Sequence, residues 1–235
     1  LGNAYAGSAA KSSDASTIYF NPAGMTQLPG GAFSGGVTAV RPSFKFSDSG
    51  SRTGVFSVAS DGGDAGSWGF PPNAYLSWQV NKDFFVGLGI NAPFGLATKY
   101  DDPWKGSAQS NEFDIKTINI NPSVAFRVNE MFSIGVGASW QRIEADYYRR
   151  AAAAPVGPLA LPFVTSHLSV SDNAWGWNIG ILLTPSPSTK VGLSYRSAVQ
   201  YHTDGNIRLV GDGAAGAATA AGLTQAGVAS NATAN

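Results

Sequence analysis

The sequence contains no cysteine. It therefore has no disulfide framework and no thiolate metal site, which suits an envelope protein that folds without disulfides. Its two histidines, His167 and His202, show no His-x-x-His spacing, so a zinc centre lacks ligands. Charge is scarce: Asp, Glu, Lys and Arg make up 13% of residues, against about 25% in soluble domains. Basic and acidic residues number 15 each, so there is no basic surplus for a nucleic-acid surface. Long apolar runs are absent too, which excludes helical membrane spans. No P-loop sequence is present to bind ATP. No cofactor, metal or nucleic-acid partner is expected.

What the chain does have is alternation. From Phe132 the even positions read Phe132, Ile134, Val136, Ala138 and Trp140, and the odd positions Ser133, Gly135, Gly137, Ser139 and Gln141. A period of two places the two sets on opposite faces of a strand. Ala74, Leu76, Trp78 and Val80 repeat the pattern, as do Phe84 to Ile90, Ile118 to Phe126, Trp175 to Leu183 and, with Val199 and Tyr201 on the apolar face, Val191 to Tyr201. The opposing rows carry Gly, Asn, Ser and Gln rather than the Lys and Glu of a solvated sandwich face. Apolar rows ending in rings, backed by small polar rows, read as outer-membrane strands. Strands are expected over about 31–46, 72–81, 83–95, 112–128, 131–149, 173–185 and 189–210.

The connections alternate as well. Segments around 81–83, 129–130 and 185–189 are short and rich in turn formers. Segments 47–71, 97–112 and 150–172 are long. Membrane barrels have short periplasmic turns and long external loops, so the first strand is expected to run outward. The chain starts at Leu1 without a signal peptide and is expected to be mature or trimmed. It ends in a run rich in Ala, Gly and Thr, 213–235, read as an external loop. About seven strands do not make the even number of a bacterial barrel, so the chain is expected to be the first half of a larger protein.

Residues 1–30 do not alternate. They read either as a frayed leader or as a plug inside the lumen, with Tyr5, Tyr19 and Phe20 as its core. Here Asn21, Pro22, Ala23 and Gly24 resemble the Asn-Pro-Ala signature of the FadL/TodX family of outer-membrane channels for long-chain fatty acids and other hydrophobic compounds. The stretch from Gly89 to Thr98 resembles that family's third strand, and Tyr195-Arg196-Ser197 a motif of its seventh. The resemblance implies an all-β transmembrane antiparallel barrel of about 14 strands, with a small helical N-terminal hatch in the lumen. It also implies lateral exit through a gap in the third strand. That gate would comprise Ala92, Pro93, Phe94 and Gly95, covered by Asn21, Pro22 and Ala23. Pro93 has no N–H for a neighbouring strand, and Gly95 tolerates unusual backbone angles. The plain alternative is that Pro93 merely ends a strand.

Among charged groups, Arg149 stands out. Odd positions of its strand point inward, and the resemblance aligns it with an arginine in a fatty-acid head-group pocket. A guanidinium holds a carboxylate through two parallel hydrogen bonds. The alternative is a rim arginine in water. The long link beyond it carries Leu159, Leu161 and Phe163, an apolar set that reads as an outer capture groove or as a loop helix packed on the rim. Asp101 and Asp102 read as solvated acids rather than a calcium site. His202, Ser194 and Arg196 share an inward row, which reads as polar lumen rather than a hydrolase. The protein is expected to be a non-enzymatic, monomeric outer-membrane channel. It would take up long-chain fatty acids or other hydrophobic molecules passively, amid outer-membrane lipid and lipopolysaccharide. A monoaromatic-hydrocarbon channel and a structural or adhesive barrel remain as alternatives.

Overall fold

A computed structural model describes residues 5–50, 59–152, 163–225, 227 and 232–234. Among these, ten strands form one antiparallel sheet. In chain order they are β1 (Gly31–Val37), β2 (Pro72–Gln79), β3 (Phe84–Asn91), β4 (Gly95–Lys99), β5 (Glu112–Arg127), β6 (Phe132–Ala152), β7 (Phe163–Ser186), β8 (Thr189–Arg196), β9 (Thr203–Gly211) and β10 (Ala232–Ala234). The sheet runs β1-β2-β3-β5-β6-β7-β9-β10, with β4 also on β5 and β8 also on β7. Two helices accompany it, α1 (Thr17–Phe20) and α2 (Gly213–Gln225), with a 3-10 turn at Pro22–Gln27. No helix among the described residues is long and apolar enough to cross a membrane.

Local chemistry sets the short turns. After β2, the Asn81 side chain accepts hydrogen bonds from the backbone N–H groups of Asp83 and Phe84, both 2.9 Å. After β5, Asn129 does the same for Met131 and Phe132. A short amide side chain mimics one more backbone group and closes the hairpin.

Burial is inverted relative to a soluble protein. Asn119, Asn121 and Ser139 are at most 1% exposed, whereas Trp175 and Leu193 are 68% and 69% exposed. The polar rows face inward, onto the N-terminal segment. The outward rows carry Leu76, Trp78, Leu88, Val124, Phe126, Val136, Trp177 and Leu183, all exposed. Beyond Trp140 the outward row turns charged, with Arg142 paired to Glu144 at 2.8 Å and Lys116 to Asp114 at 2.6 Å. From Phe132 to Trp140 is about 26 Å at about 3.3 Å per residue. That is close to the apolar band of an outer-membrane barrel, about 25 Å tall.

The strands differ from the expected spans in four places. Regular pairing of β1 ends at Val37, and Val40 and Lys45 make only single bridges, to Gly69 and Asp64. The link expected over 150–172 is mostly strand, because β6 continues to Ala152 and β7 starts at Phe163. The stretch 189–210 is two strands, and 213–235 holds helix α2. The third strand splits at residues 92–94. There β3 pairs with β5 as Asn91↔Asn119, but β4 pairs as Gly95↔Lys116. Three residues thus oppose two, and a one-residue slip moves every following side chain to the other face. Leu96 and Thr98 therefore join the inward row.

Arginine at Val136 or Leu193 should destabilise the barrel by roughly 2–4 kcal/mol, the cost of a lipid-facing cation near the midplane. Arginine at the external, outward Asp146 should cost far less. Urea unfolding in lipid vesicles, followed by tryptophan fluorescence, measures both.

Candidate functional site

The N-terminal segment is bound to the inward face. Ala15, Ile18 and Met25 bury against Tyr75, Phe85 and Ala125 of the wall. Around this apolar centre, wall side chains hold hatch backbone: Asn178 reaches the Ile18 carbonyl, Arg196 the Tyr19 carbonyl at 2.8 Å, and Arg127 the Thr26 carbonyl. The Arg196 guanidinium also lies 4.4 Å from the Tyr19 ring centroid, a cation–π contact. Small residues make the approach possible. A Cβ at Gly135 would overlap the Pro22–Ala23 backbone, and one at Gly180 would overlap the Asn21 side chain. The described part of the 1–30 segment packs on the inward face, as a plug does and a frayed leader does not.

Asn21 is the hatch's central polar residue. It is fully buried. Its Nδ2 donates to the Ala9 carbonyl at 2.7 Å and the Ile181 carbonyl at 2.9 Å, and its Oδ1 accepts from the Ala23 N–H. The resemblance implies that Asn21, Pro22 and Ala23 cover the gap in the third strand; the contacts seen here are elsewhere. The three residues dock on β6 and β7 instead. Thr117 serves the gap: its hydroxyl donates to the Phe94 carbonyl at 2.6 Å and accepts the Phe94 N–H at 2.9 Å. One hydroxyl replaces both halves of the ladder that Pro93 and the slip remove. Nearby, Asn119 donates to Asn91 Oδ1 at 2.8 Å, while its own Oδ1 is buried without a partner. Phe94 is 63% exposed, and a Cβ at Gly95 would meet only the Ile115 carbonyl at ordinary distance. Gly95 lies on the outward row, opposite Lys116.

Above the hatch the inward row changes character. Strand registers place Leu96, Phe113, Ile115, Tyr147, Leu168, Ile207 and Leu209 on it. Phe113 and Tyr147 meet edge to face, with centroids 6.2 Å apart. Tyr147 donates its hydroxyl to the Gln109 carbonyl, drawing the 100–111 loop over this face. A Cβ at Gly211 would strike the α2 backbone at Gly216, so α2 lies over the same face. These residues form an apolar inner wall above a polar floor, here called the chamber.

Arg149 shares the inward row of that chamber, opposite Ser166. It is exposed, and its guanidinium makes no ion pair among the described residues. Arg150, one residue on, bridges Asp102 at 2.9 Å and Asp212 at 3.0 Å and lies over the Phe163 ring. Phe163 therefore takes the opposite face of the β6–β7 pair from Arg149. Leu159 and Leu161 lie outside the described residues. Asp102 is taken up by Arg150 and Asn111. His202 donates its backbone N–H to Asp172, and Arg196 serves the hatch. On the external outward face His167 bonds Asp146 at 2.8 Å, which holds that carboxyl below its ordinary pKa.

Residues 1–235 match the family model of the outer membrane protein transport proteins (OMPP1/FadL/TodX). The chain belongs to the FadL/TodX family. It is 31% identical over 219 residues to a long-chain fatty acid transport protein of Salmonella typhi, covering 88% of this chain and 49% of that protein. It is 31% identical over 234 residues to outer membrane protein P1 of Haemophilus influenzae, covering 85% and 51%. In fold it resembles a Pseudomonas aeruginosa FadL homologue, with a TM-score of 0.71 at 20% identity over 92% of this chain and 53% of the other. It also resembles the Pseudomonas putida toluene transporter TodX, with a TM-score of 0.63 at 17% identity over 86% and 56%. The chain spans about half the length of the curated relatives it matches. This FadL/TodX member is thus a transmembrane antiparallel barrel of the Gram-negative outer membrane, as its alternation implied.

Sequence reading missed Leu96 as an inward residue, because the slip reverses parity there, and missed the bonds of Thr117 to Phe94, because they cross between strands. Gly180→Leu should overpack the Asn21 seat at about 1–3 kcal/mol and release the hatch. Gly222→Leu, with open space around it, should change nothing. Limited proteolysis of membrane-embedded protein, read by mass spectrometry, should show hatch cleavage only in the first variant.

Proposed function

We propose that this protein is a passive channel for hydrophobic molecules, with long-chain fatty acids as the principal substrate. The carrying observation is the apolar inward chamber above a polar hatch, with Arg149 on the same face. An apolar chain gains about 25 cal/mol per Å² of surface removed from water, which a water-filled pore does not offer. A guanidinium at the chamber wall adds a charge-assisted bond to a carboxylate. The likeness to long-chain fatty acid transport proteins at 31% identity supports the same substrate class.

The route has three stages. Phe163, on the outer face beside Arg150, belongs to the surface that captures solute. Arg149 and the chamber residues hold it. The solute then leaves sideways at residues 92–95, because the hatch fills the axis. Thr117 keeps that gap shut with two hydrogen bonds to one residue, a seal that opens without unzipping a ladder. Structural likeness to TodX supports a monoaromatic hydrocarbon as a second reading. It predicts that a neutral ring needs no arginine.

Arg149→Ala should weaken oleate binding by about 1.5–3 kcal/mol, the worth of a hydrogen bond to a charged group. Toluene binding should change little. Equal losses for both ligands in calorimetry would assign Arg149 a packing role. Deleting Pro93 removes the extra residue, so that β3 and β4 share one register on β5. Uptake of oleate by cells should fall while the barrel still folds. Unaltered uptake by a folded deletion variant would exclude exit at this gap.

A further inference from the structure

The wall breaks a second time. β8 pairs with β7 as Asn178↔Arg196, and β9 pairs with it as Ser171↔Asp204. Seven residues, 197–203, therefore lie opposite six of β7, 172–177. The slip is again one residue, and again a hydroxyl stands in for the ladder. Ser197 Oγ accepts the Trp177 N–H, and the Ser197 N–H donates to the Trp177 carbonyl, both 2.9 Å. Past that point the seam is open. N–H and C=O groups of alternate strand residues point to the same neighbour, so Trp175 points where Trp177 does. No backbone hydrogen bond joins Trp175 to residues 198–202 among the described residues. Trp175 is nonetheless 68% exposed, at the outer end of the lipid-facing apolar row. Unpaired backbone at that depth persists only where it lines a cavity or a water path.

Side chains at the seam turn inward. A Cβ placed at Gly176, on the inward row, lies 2.9 Å from Val199 Cγ2. Tyr201 donates its hydroxyl to Gln141 Oε1 at 2.8 Å, and Gln141 is a buried inward residue. Both residues were expected on the apolar outward face; the slip overturns that. Beneath the seam a cavity of about 250 Å³ lies between the hatch and β7–β8, lined by Tyr19, Phe20, Asn178, Ser194, Tyr195 and Arg196. It extends from two hatch rings to Tyr195, which is exposed on the lipid side. Trp175, Trp177 and Tyr195 frame the outer side of the seam.

The two breaks lie at one register level of the sheet. Thr117 and Ile118, opposite the first, pair with Ile143 and Arg142 of β6, which pair with Asp172 and Asn173 of β7. A polar row connects them on the inward face: Asn91 bonds Asn119, Asn119 lies opposite Gln141, and Gln141 bonds Tyr201.

We propose that the seam between β7 and the β8–β9 junction is a second lateral opening, gated by Tyr201, through which apolar solutes with a ring or an unsaturated chain pass between the lumen and the outer leaflet. The proposal rests on the reading of this barrel as a channel for hydrophobic molecules. Ring faces of two tryptophans and a tyrosine favour such solutes on the lipid side. Tyr201 swings clear by giving up its hydrogen bond to Gln141, without loss of any ladder pairing. Arg196, directly before the seam, ties it to the hatch through the Tyr19 carbonyl.

The test uses the full-length protein in the outer membrane of cells, with radiolabelled oleate and toluene as probes. Gly176→Cys with Val199→Cys puts two thiols across the seam, where a Cβ at 176 lies 2.9 Å from Val199 Cγ2, and residues 1–235 hold no other cysteine. Oxidation should lower uptake of both probes relative to the same double variant reduced, and reductant should restore it. The same pair in the Pro93-deleted background should remove the residual uptake. Tyr201→Phe should raise uptake without altering oleate binding to purified protein. A formed disulfide that leaves uptake unchanged in both backgrounds would overturn the second opening, as would Tyr201→Phe with uptake at or below the parent. If the disulfide lowers uptake but Pro93 deletion does not, exit at 92–95 fails and the second opening stands. If oxidation abolishes oleate binding itself, the lock has closed the chamber and the proposal fails.

Discussion

Every backbone polar group that faces hydrocarbon needs a partner within the protein, and the arrangement of this chain follows from that requirement. The ladder supplies most partners, and side chains supply the rest where it fails. At Pro122, in the middle of β5, the missing N–H leaves the Ala138 carbonyl open, and Asn121 Nδ2 takes it at 2.7 Å. At the break after β3, Thr117 serves both polar groups of Phe94. At the break after β8, Ser197 serves Trp177. Three irregularities in the wall thus carry three local repairs, each from a short hydroxyl or amide side chain on the strand or at its margin.

The same requirement explains why the polar residues are the buried ones. Lipid takes the apolar rows, so amide and hydroxyl side chains remain for the inward face, where they bond the hatch and one another. Asn121 donates to Ser139 and Asn178, and Thr26 of the hatch donates to Ser133. Hatch and wall thus share a polar contact surface around the apolar centre formed by Ile18, Met25 and Phe85. Such a surface exchanges protein partners for water at modest net cost, because hydrogen bonds to water replace those lost. The external loops use a different principle. Trp104 is buried against Tyr100, with centroids 3.9 Å apart, and Lys105 pairs with Asp48 and Asp61, which raise its pKa. They form a small aqueous core above the membrane.

Alternation alone determined the fold class, the outward rows and the tight turns at Asn81 and Asn129. A two-residue period and a turn-forming side chain are local properties, written in neighbouring residues. The break at Pro93 was legible for the same reason, since proline loses its donor wherever it stands. Tertiary structure decided what crosses between strands. The slips at 92–94 and 197–203 are differences in pairing register, and register belongs to two strands at once. They moved Leu96 inward and turned Val199 and Tyr201 from the lipid face to the lumen. The seat of Asn21 on Ile181, 160 residues away, depends on glycines of β6 and β7 whose emptiness has meaning only once the hatch lies against them. Arg149 and Arg150 are adjacent and chemically identical in the sequence. The β6–β7 pairing alone sends one to the chamber and the other to the acids of the rim.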